Sequence, residues 1–179
     1  VKVHWLELEM ADERPVYRTK EVTYETASRD GEPFAALIGR RSYLPNPVTR
    51  FCTTEMKVQR MRDFMWKMKG YKHWDNVLGL RYDEPRRVSS SRNKKERWEN
   101  VMPMYDAKHT VKNVLEFWQK ANFDLTLPSI DGQTLAGNCD LCFLKGRKTL
   151  TKLIKERPDL TTWWIAQENR IGAGTGATF

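Results

Sequence analysis

The order of hydrophobic patterns along the chain limits its fold most strongly. Segments that alternate apolar and polar residues, or that form short apolar runs, are followed by segments with apolar residues at helical spacing. Strands that alternate with helices predict an α/β protein with a mostly parallel sheet flanked by helices. The segments predicted as strands are 1–9 (VKVHWLELE), 23–25, 74–82 (WDNVLGLRY) and 99–104.

The predicted helices are recognised by their caps and by their apolar stripes. Pro33 suits the first turn of a helix through Arg41, and Gly70 is placed to end a helix with a stripe from Met61 to Met68. Thr110 is expected to cap a helix whose Val111, Val114, Leu115 and Trp118 face inward. Two further helices are predicted, from Asn138 to about Glu156 and from Pro158 onward, the second with Leu160, Trp163 and Trp164 inward. The remaining segments are expected to be loops, including an exposed basic loop at 86–97.

Length and composition predict a globular protein with one domain over residues 1–179. Hydrophobic residues make up 40% of the chain and charged residues 30%, which argues against wholesale disorder. No apolar run approaches the roughly 20 residues that span a bilayer, so no membrane association is expected. Within the domain we expect a sheet-forming part (1–105), a helical part that carries the cysteine pair (106–170) and a flexible tail (171–179).

The chain has three cysteines, of which Cys139 and Cys142 form a Cys-x-x-Cys pair and Cys52 lies far upstream. Three thiols cannot all pair within one chain, so a secreted disulfide framework is unexpected and a reducing cytoplasm is the predicted compartment. At the start of a helix, the spacing of the pair would put both sulfurs on one face, beside N–H groups that favour thiolate.

Three interpretations of the cysteines stay open at this point. They are unrelated thiols, or they bind zinc, or they hold an iron–sulfur cluster. A structural zinc site needs four ligands, for which His73 or His109 would supply the fourth. A cluster with only three cysteine ligands would leave one iron open, which implies chemistry rather than support.

A second group of residues is basic and predicts an anionic partner. The net charge is +8. Arg50 and Lys57 flank Cys52, and Arg81 and Arg86 follow a predicted strand, where open α/β sheets bind their ligands. The alternatives are a solvated loop with local carboxylate partners, or binding of nucleic acid through residues 86–97.

Four motifs in order resemble the phosphoadenosine phosphosulfate (PAPS) reductase family, within the adenine nucleotide alpha-hydrolase-like superfamily. The motifs are RFCTTEMK at 50–57, GLRYDEPRR at 79–87, Pro103 with Thr110 and Phe117-Trp118, and GNCDLC at 137–142. Together they span nearly the whole chain, which is most similar to phage and bacterial reductase-like members.

The resemblance implies a Rossmann-like fold that binds an adenine nucleotide, ATP or PAPS. It implies that Lys57, Arg81 and Arg86, with Arg50 nearby, meet phosphate or sulfate groups. It also implies a 4Fe-4S cluster on Cys52, Cys139 and Cys142, with sulfur transfer, sulfonucleotide reduction or adenylation as the chemistry. The family's Ser-Gly-Gly-x-Asp-Ser type loop is missing from these residues, so we expect an additional amino-terminal segment, in a longer chain or a separate one, to supply it.

The sequence thus leads to two hypotheses. The first is a PAPS reductase-like enzyme that binds an iron–sulfur cluster and an adenine nucleotide. The second is a non-catalytic zinc-bound module that contacts nucleic acid or another anionic partner.

Overall fold

The computed structural model describes residues 2–93, 95–124, 126–127, 129–130, 133–134, 137 and 139–171. Asn138, the predicted helix cap, lies outside the described residues, as do Lys94 and the tail 172–179. The chain divides into two compact units, one formed by Val1–Met68 with Leu127–Phe179 and the other by Lys69–Thr126. The prediction of one domain over the whole chain stays a prediction, and the boundary expected at residue 105 falls inside the second unit.

The first unit begins with an antiparallel hairpin. β1 (Trp5–Met10) pairs with β2 (Tyr17–Val22) in a register that places Leu8 opposite Thr19. The prediction of a first strand is confirmed, but the second strand precedes the predicted 23–25. Those residues lie in a turn instead, because the Thr23 N–H donates to the Thr26 hydroxyl at 2.9 Å.

The core of the first unit forms where the hairpin packs on the first helix. α1 (Glu32–Arg41) starts with Pro33 in its first turn, as predicted. The core residues are Leu8, Leu37, Ile38, Leu44 and Phe51. Arg60, on the next helix, donates to the Thr19 hydroxyl at 3.0 Å, so that helix is tied to β2 as well.

The second helix, α2 (residues 51–68), has an irregular backbone. It alternates α-helical segments (Phe51–Thr53 and Gln59–Asp63) with π-helical segments (Thr54–Val58 and Phe64–Met68). Gly70 follows at a φ of 76°, a left-handed conformation that glycine adopts at little cost, so its prediction as the helix stop is confirmed.

The second unit contains a parallel strand pair. β3 (Trp74–Val77) pairs with β4 (Trp98–Val101), and α3 (Pro85–Arg92) connects them. Both strands are shorter than the predicted 74–82 and 99–104. The prediction of an exposed loop over 86–97 is wrong for residues 86–92, because Pro85 starts a helix that buries Val88.

Two more helices complete the second unit: α4 (Pro103–Asp106) and α5 (Val111–Lys120). Thr110 caps α5 as predicted, and its N–H donates to Asn113 Oδ1 at 2.9 Å. The expected inward stripe of α5 is wrong, since Val111, Leu115 and Trp118 are exposed.

Near the carboxyl end, the first unit resumes with a small antiparallel pair, β5 (Ser129–Ile130) and β6 (Gln133–Thr134). α6 (Arg147–Glu156) and α7 (Asp159–Ile171) follow, and Leu141, Leu153 and Trp164 form a second core cluster. The protein is therefore mixed α/β, as predicted at that level. The described residues contain only two-stranded sheets, so a larger Rossmann-like sheet stays a prediction. None of the described helices is long and apolar enough to cross a membrane.

Candidate functional site

All three cysteines line one cavity of about 130 Å³ in the first unit, which we call the cysteine cavity. Arg50, Thr53 and Lys57 contribute its other polar side chains, and its apolar walls come from Phe34, Pro45, Met56, Phe143, Leu144 and Trp164. The fold thus brings together five of the seven residues predicted from the sequence to form a site: Arg50, Cys52, Lys57, Cys139 and Cys142.

Cys52 is positioned by the start of α2. The Arg50 carbonyl accepts hydrogen bonds from the N–H groups of Thr53 (3.0 Å) and Thr54 (3.2 Å), which closes the first turn around Cys52. The neighbouring Phe51 is buried in the core and meets Tyr43 edge-to-face, with ring centroids 5.2 Å apart. Burial of Phe51 therefore fixes the rotation of this turn and directs Cys52 to the cavity.

Cys139 and Cys142 lie in a turn rather than in a helix. The Cys142 N–H donates to the Cys139 carbonyl at 3.2 Å, the Lys145 N–H donates to the Cys142 carbonyl at 2.8 Å, and α6 begins only at Arg147. The predicted helix from Asn138 is therefore wrong before residue 147. Because the pair is not in the first turn of a helix, the predicted effect of helix N–H groups on these thiols does not apply.

The turn is held by the buried side chain between the two cysteines. Leu141 packs with Leu153 of α6 and Trp164 of α7, so the turn that carries Cys139 and Cys142 is anchored to these two helices. Cys139 is left exposed and Cys142 is half-buried. Leu141, to which the sequence analysis assigned no role, thus fixes where the two sulfurs lie.

The three cysteine thiols are free. No disulfide joins them. In the described part of the chain, no group of three or more His, Cys, Asp or Glu side chains is arranged to hold one metal ion. Sulfurs that share a zinc ion lie close together, because each Zn–S bond is only about 2.3 Å long. His73 and His109, considered as a fourth ligand, belong to the second unit.

The charged residues of the cysteine cavity are cations without carboxylate partners. Arg50 and Lys57 are exposed, and neither forms an ion pair with a described residue. The nearest carboxylate along α2, Glu55, binds Arg41 instead, at 2.9 Å between Nη2 and Oε1. Two uncompensated cations beside an apolar wall favour an anion in the cavity.

A π-helical segment of α2 carries two residues of the cavity wall. In Thr54–Val58, the Gln59 N–H reaches the Thr54 carbonyl, five residues back, and Met56 and Lys57 lie within this wider turn. Segments of this type are rare and are frequently found at functional sites. Nothing in the sequence indicated it.

After this π-helical segment, α2 contains a buried charged pair, Arg60 and Asp63, that the sequence analysis missed. Arg60 is 2% exposed and Asp63 is 5% exposed, with 3.7 Å between Nη2 and Oδ2. Burial lowers the pKa of Arg60, and the neighbouring carboxylates oppose this effect. The Arg60 side chain also donates to the Glu55 carbonyl at 2.8 Å, inside the π-helical segment. Arg60 therefore supports the turn that carries Lys57.

The other two predicted anion ligands lie in the second unit. Arg81 binds Asp83 (Nε to Oδ1, 2.9 Å) and lies 3.5 Å from a Glu84 oxygen. Arg86 is exposed on α3 and forms no ion pair with a described residue. Their assignment as anion ligands stays a prediction, and an anion at Arg81 would have to compete with two carboxylates.

Comparison of the chain with protein-family models, with curated proteins and with solved structures gives no match. The cysteine cavity itself is therefore the basis for a proposal about function.

Proposed function

We propose that this protein is a PAPS reductase-like iron–sulfur protein that binds an adenine nucleotide or sulfonucleotide, with the cysteine cavity as its reactive centre. The observation that carries the proposal is the convergence of Cys52 with the distant pair Cys139 and Cys142 in a cavity whose only charged lining side chains, among the described residues, are Arg50 and Lys57. Unrelated thiols would have no reason to meet beside two unpaired cations.

In this proposal, the three cysteines hold an iron–sulfur cluster rather than a single ion. Thiolates bind different iron atoms of a cluster, so their sulfurs need not lie at the spacing of one ion. Cys52, Cys139 and Cys142 would hold three irons, and the fourth would have no protein ligand. Such a cluster supplies electron transfer or sulfur chemistry at the open iron.

The remaining residues of the cavity would bind and orient the anionic substrate. Arg50 offers paired N–H donors to phosphate or sulfate oxygens, and Lys57 adds a point charge. Phe34, Met56 and Trp164 form apolar walls of the cavity beside these cations. The reaction class in this proposal is sulfur transfer, sulfonucleotide reduction or adenylation.

The wider features of the resemblance are part of the same proposal. In this proposal, a Rossmann-like sheet would extend the β3–β4 pair.

The metal content of anaerobically purified protein tests this proposal. We expect iron and acid-labile sulfide in stoichiometric amounts with broad visible absorption. Replacement of Cys52, Cys139 or Cys142 by Ser should abolish the absorption, because metal binding is coupled to the local structure. Thr53→Ser is the matched control, since Thr53 lines the same cavity without a thiol. Wild-type protein that stays colourless after anaerobic reconstitution would contradict the proposal.

A second candidate is a zinc-bound module that binds nucleic acid through residues 86–97. The observation that favours it is the exposure of Arg86 and Lys95, which pair with no described carboxylate. Stoichiometric zinc without iron in the same preparation would support this alternative.

A further inference from the structure

A second and larger cavity adjoins the cysteine cavity. It has a volume of about 570 Å³, within the range of small-molecule sites, and it also belongs to the first unit. We call it the acidic cavity. Asp30, Asp140 and Asp159 line it, together with Arg29 and the ring of Trp163.

The arginines near the acidic cavity are committed to other partners. Arg29 donates to the carbonyls of Ala27 (2.9 Å) and Tyr24, and its guanidinium lies 4.6 Å from the Tyr24 ring centroid. Arg157 holds Asp159 through two hydrogen bonds of 2.9 and 2.6 Å.

The other two carboxylates remain available. Asp140 lies within electrostatic range of Arg157, but neither Asp30 nor Asp140 forms an ion pair in the described part of the chain. The acidic cavity therefore favours a cation or a group with several N–H donors.

An aromatic cluster forms one wall of this cavity. Phe34 stacks on Trp163 with a centroid distance of 5.5 Å and an interplanar angle of 27°, and Trp164 meets both rings edge-on. Gly31 lies directly against Trp163, since a Cβ on this residue would be 2.8 Å from the indole nitrogen. Indole rings beside carboxylates suit a planar ligand that carries positive charge or amino groups.

The two cavities share part of their walls. Phe34, Cys139 and Trp164 line both, and Cys139 is exposed. A ligand in the acidic cavity would therefore lie beside Cys139, one of the thiols of the cysteine cavity.

We propose that the acidic cavity binds a second substrate, a planar heteroaromatic or amidine-like group that is cationic or rich in amino groups. Its role as a co-substrate site rests on the proposed function, whereas its selectivity for such a group does not. Asp30 and Asp140 select the charge, and Trp163 selects the planar shape.

Ligand-observed NMR titrations with benzamidine and benzoate test this selectivity, since the two probes share size and shape but differ in charge. We expect benzamidine to bind at least tenfold more tightly than benzoate. Asp30→Asn should weaken benzamidine binding about fivefold to tenfold, in the range for the net contribution of a typical hydrogen bond. Asp12→Asn is the matched control: Asp12 is an exposed residue of the same unit that does not line the acidic cavity, and its replacement should change nothing.

Gly31→Ala tests the aromatic wall separately. The added methyl group displaces Trp163, and a φ of 81° at residue 31 strains an alanine, so we expect loss of benzamidine binding. Because this variant could unfold, Asp30→Asn remains the deciding variant. Equal affinities for benzamidine and benzoate, or an unchanged affinity in Asp30→Asn, would overturn the proposal.

The iron content separates this inference from the proposed function. Asp30→Asn should keep the visible absorption of the wild type while it loses benzamidine affinity. A colourless wild type that still prefers benzamidine would overturn the proposed function and support the acidic cavity. A wild type that contains iron but does not discriminate between the probes would overturn only the inference made here.

Discussion

Two basic regions of this protein look alike in the sequence and differ in the structure. In the region 50–63, Arg50 and Lys57 line a cavity with no carboxylate among the described lining residues. In the region 81–92, three arginines have local carboxylate partners: Arg81 with Asp83 and Glu84, Arg87 with Glu84, and Arg92 with Asp106.

The difference shows what makes a basic cluster available to an anion. A guanidinium that already has a carboxylate partner must give up that partner before it binds a ligand. The net gain in binding free energy is then small. In the first region, the fold itself separates the cations from the carboxylates: Glu55 faces Arg41, and Asp63 is buried with Arg60. Four predictions test this contrast.

The largest effect, a loss of stability, is expected when Arg60, the buried arginine of the region 50–63, is replaced. Arg60→Met leaves the buried Asp63 with only Arg62 and Lys67, whose side chains are partly exposed, among its described ion-pair partners, and it removes the bond to the Glu55 carbonyl. We expect the free energy of unfolding to fall by about 3 kcal/mol, as measured for broken buried pairs. Arg62→Met is the control, because the Arg62 side chain is partly exposed and should contribute less than about 1 kcal/mol. Urea denaturation gives the free energy of unfolding of both variants. Equal losses would show that the buried Arg60 contributes no more to stability than the partly exposed Arg62.

The second prediction compares the two regions as anion sites. Lys57→Ala and Arg50→Ala should each weaken binding of an adenine nucleotide by about tenfold, equal to about 1.4 kcal/mol. Arg81→Ala should weaken it less than about threefold, because the Arg81 side chain is bound to Asp83 and Glu84. Isothermal titration calorimetry gives the three affinities. An equal loss in Arg81→Ala would show that the second unit contributes to the nucleotide site, as the family resemblance implies.

The third prediction concerns nucleic acid and the exposed cations of the second unit. If single-stranded DNA binds there, the double variant Arg86→Ala, Lys95→Ala should reduce the slope of log affinity against log salt by about 1.4, since each lost contact to a single strand removes about 0.7. Arg81→Ala should leave the slope unchanged. Fluorescence anisotropy at several salt concentrations measures it. A slope that Arg86 and Lys95 do not affect would exclude this helix and its following loop as the nucleic-acid surface.

The smallest effect is expected from the pH dependence of the second region. Burial acts to raise the pKa of Glu84, but hydrogen bonds from the Arg81 N–H and the Arg87 side chain, with both arginine charges, outweigh it and lower the pKa below 4.5. A lowered pKa in the folded state stabilises the protein above the ordinary pKa. This contribution is lost as the pH falls from about 4.5 through the folded-state pKa.

The variant Glu84→Gln isolates this contribution. We expect it to cost less than about 1 kcal/mol at pH 7, because the pairs are near the surface, and to cost nothing once the carboxyl is protonated in both states. Thermal unfolding at pH 7 and pH 3 gives the comparison. A cost that persists unchanged at pH 3 would show that the arginine pairs do not account for it.

Local signals predicted the helix boundaries well where one residue decides the backbone. Pro33 in the first turn of α1, Gly70 after α2 and Thr110 before α5 all lie where expected. The helix at 85–92 was missed because its residues are polar and basic with only Val88 buried, which leaves almost no apolar stripe to detect. The turn at 139–146 was missed because Asn138 was interpreted as the cap of a helix that begins only at Arg147.

The sequence by itself determined which residues could form a site, since three cysteines beside two basic residues are a chemical inventory that needs no fold. It also determined the mixed α/β class, because hydrophobic periodicity is a local property. Only the tertiary structure decided that Cys52 lines the same cavity as Cys139 and Cys142, and that Arg50 and Lys57 line it without a carboxylate among the described lining residues. These outcomes depend on contacts between residues far apart in the chain, such as the packing of Leu141 against Trp164, and no local pattern records which distant side chain will fill a given space.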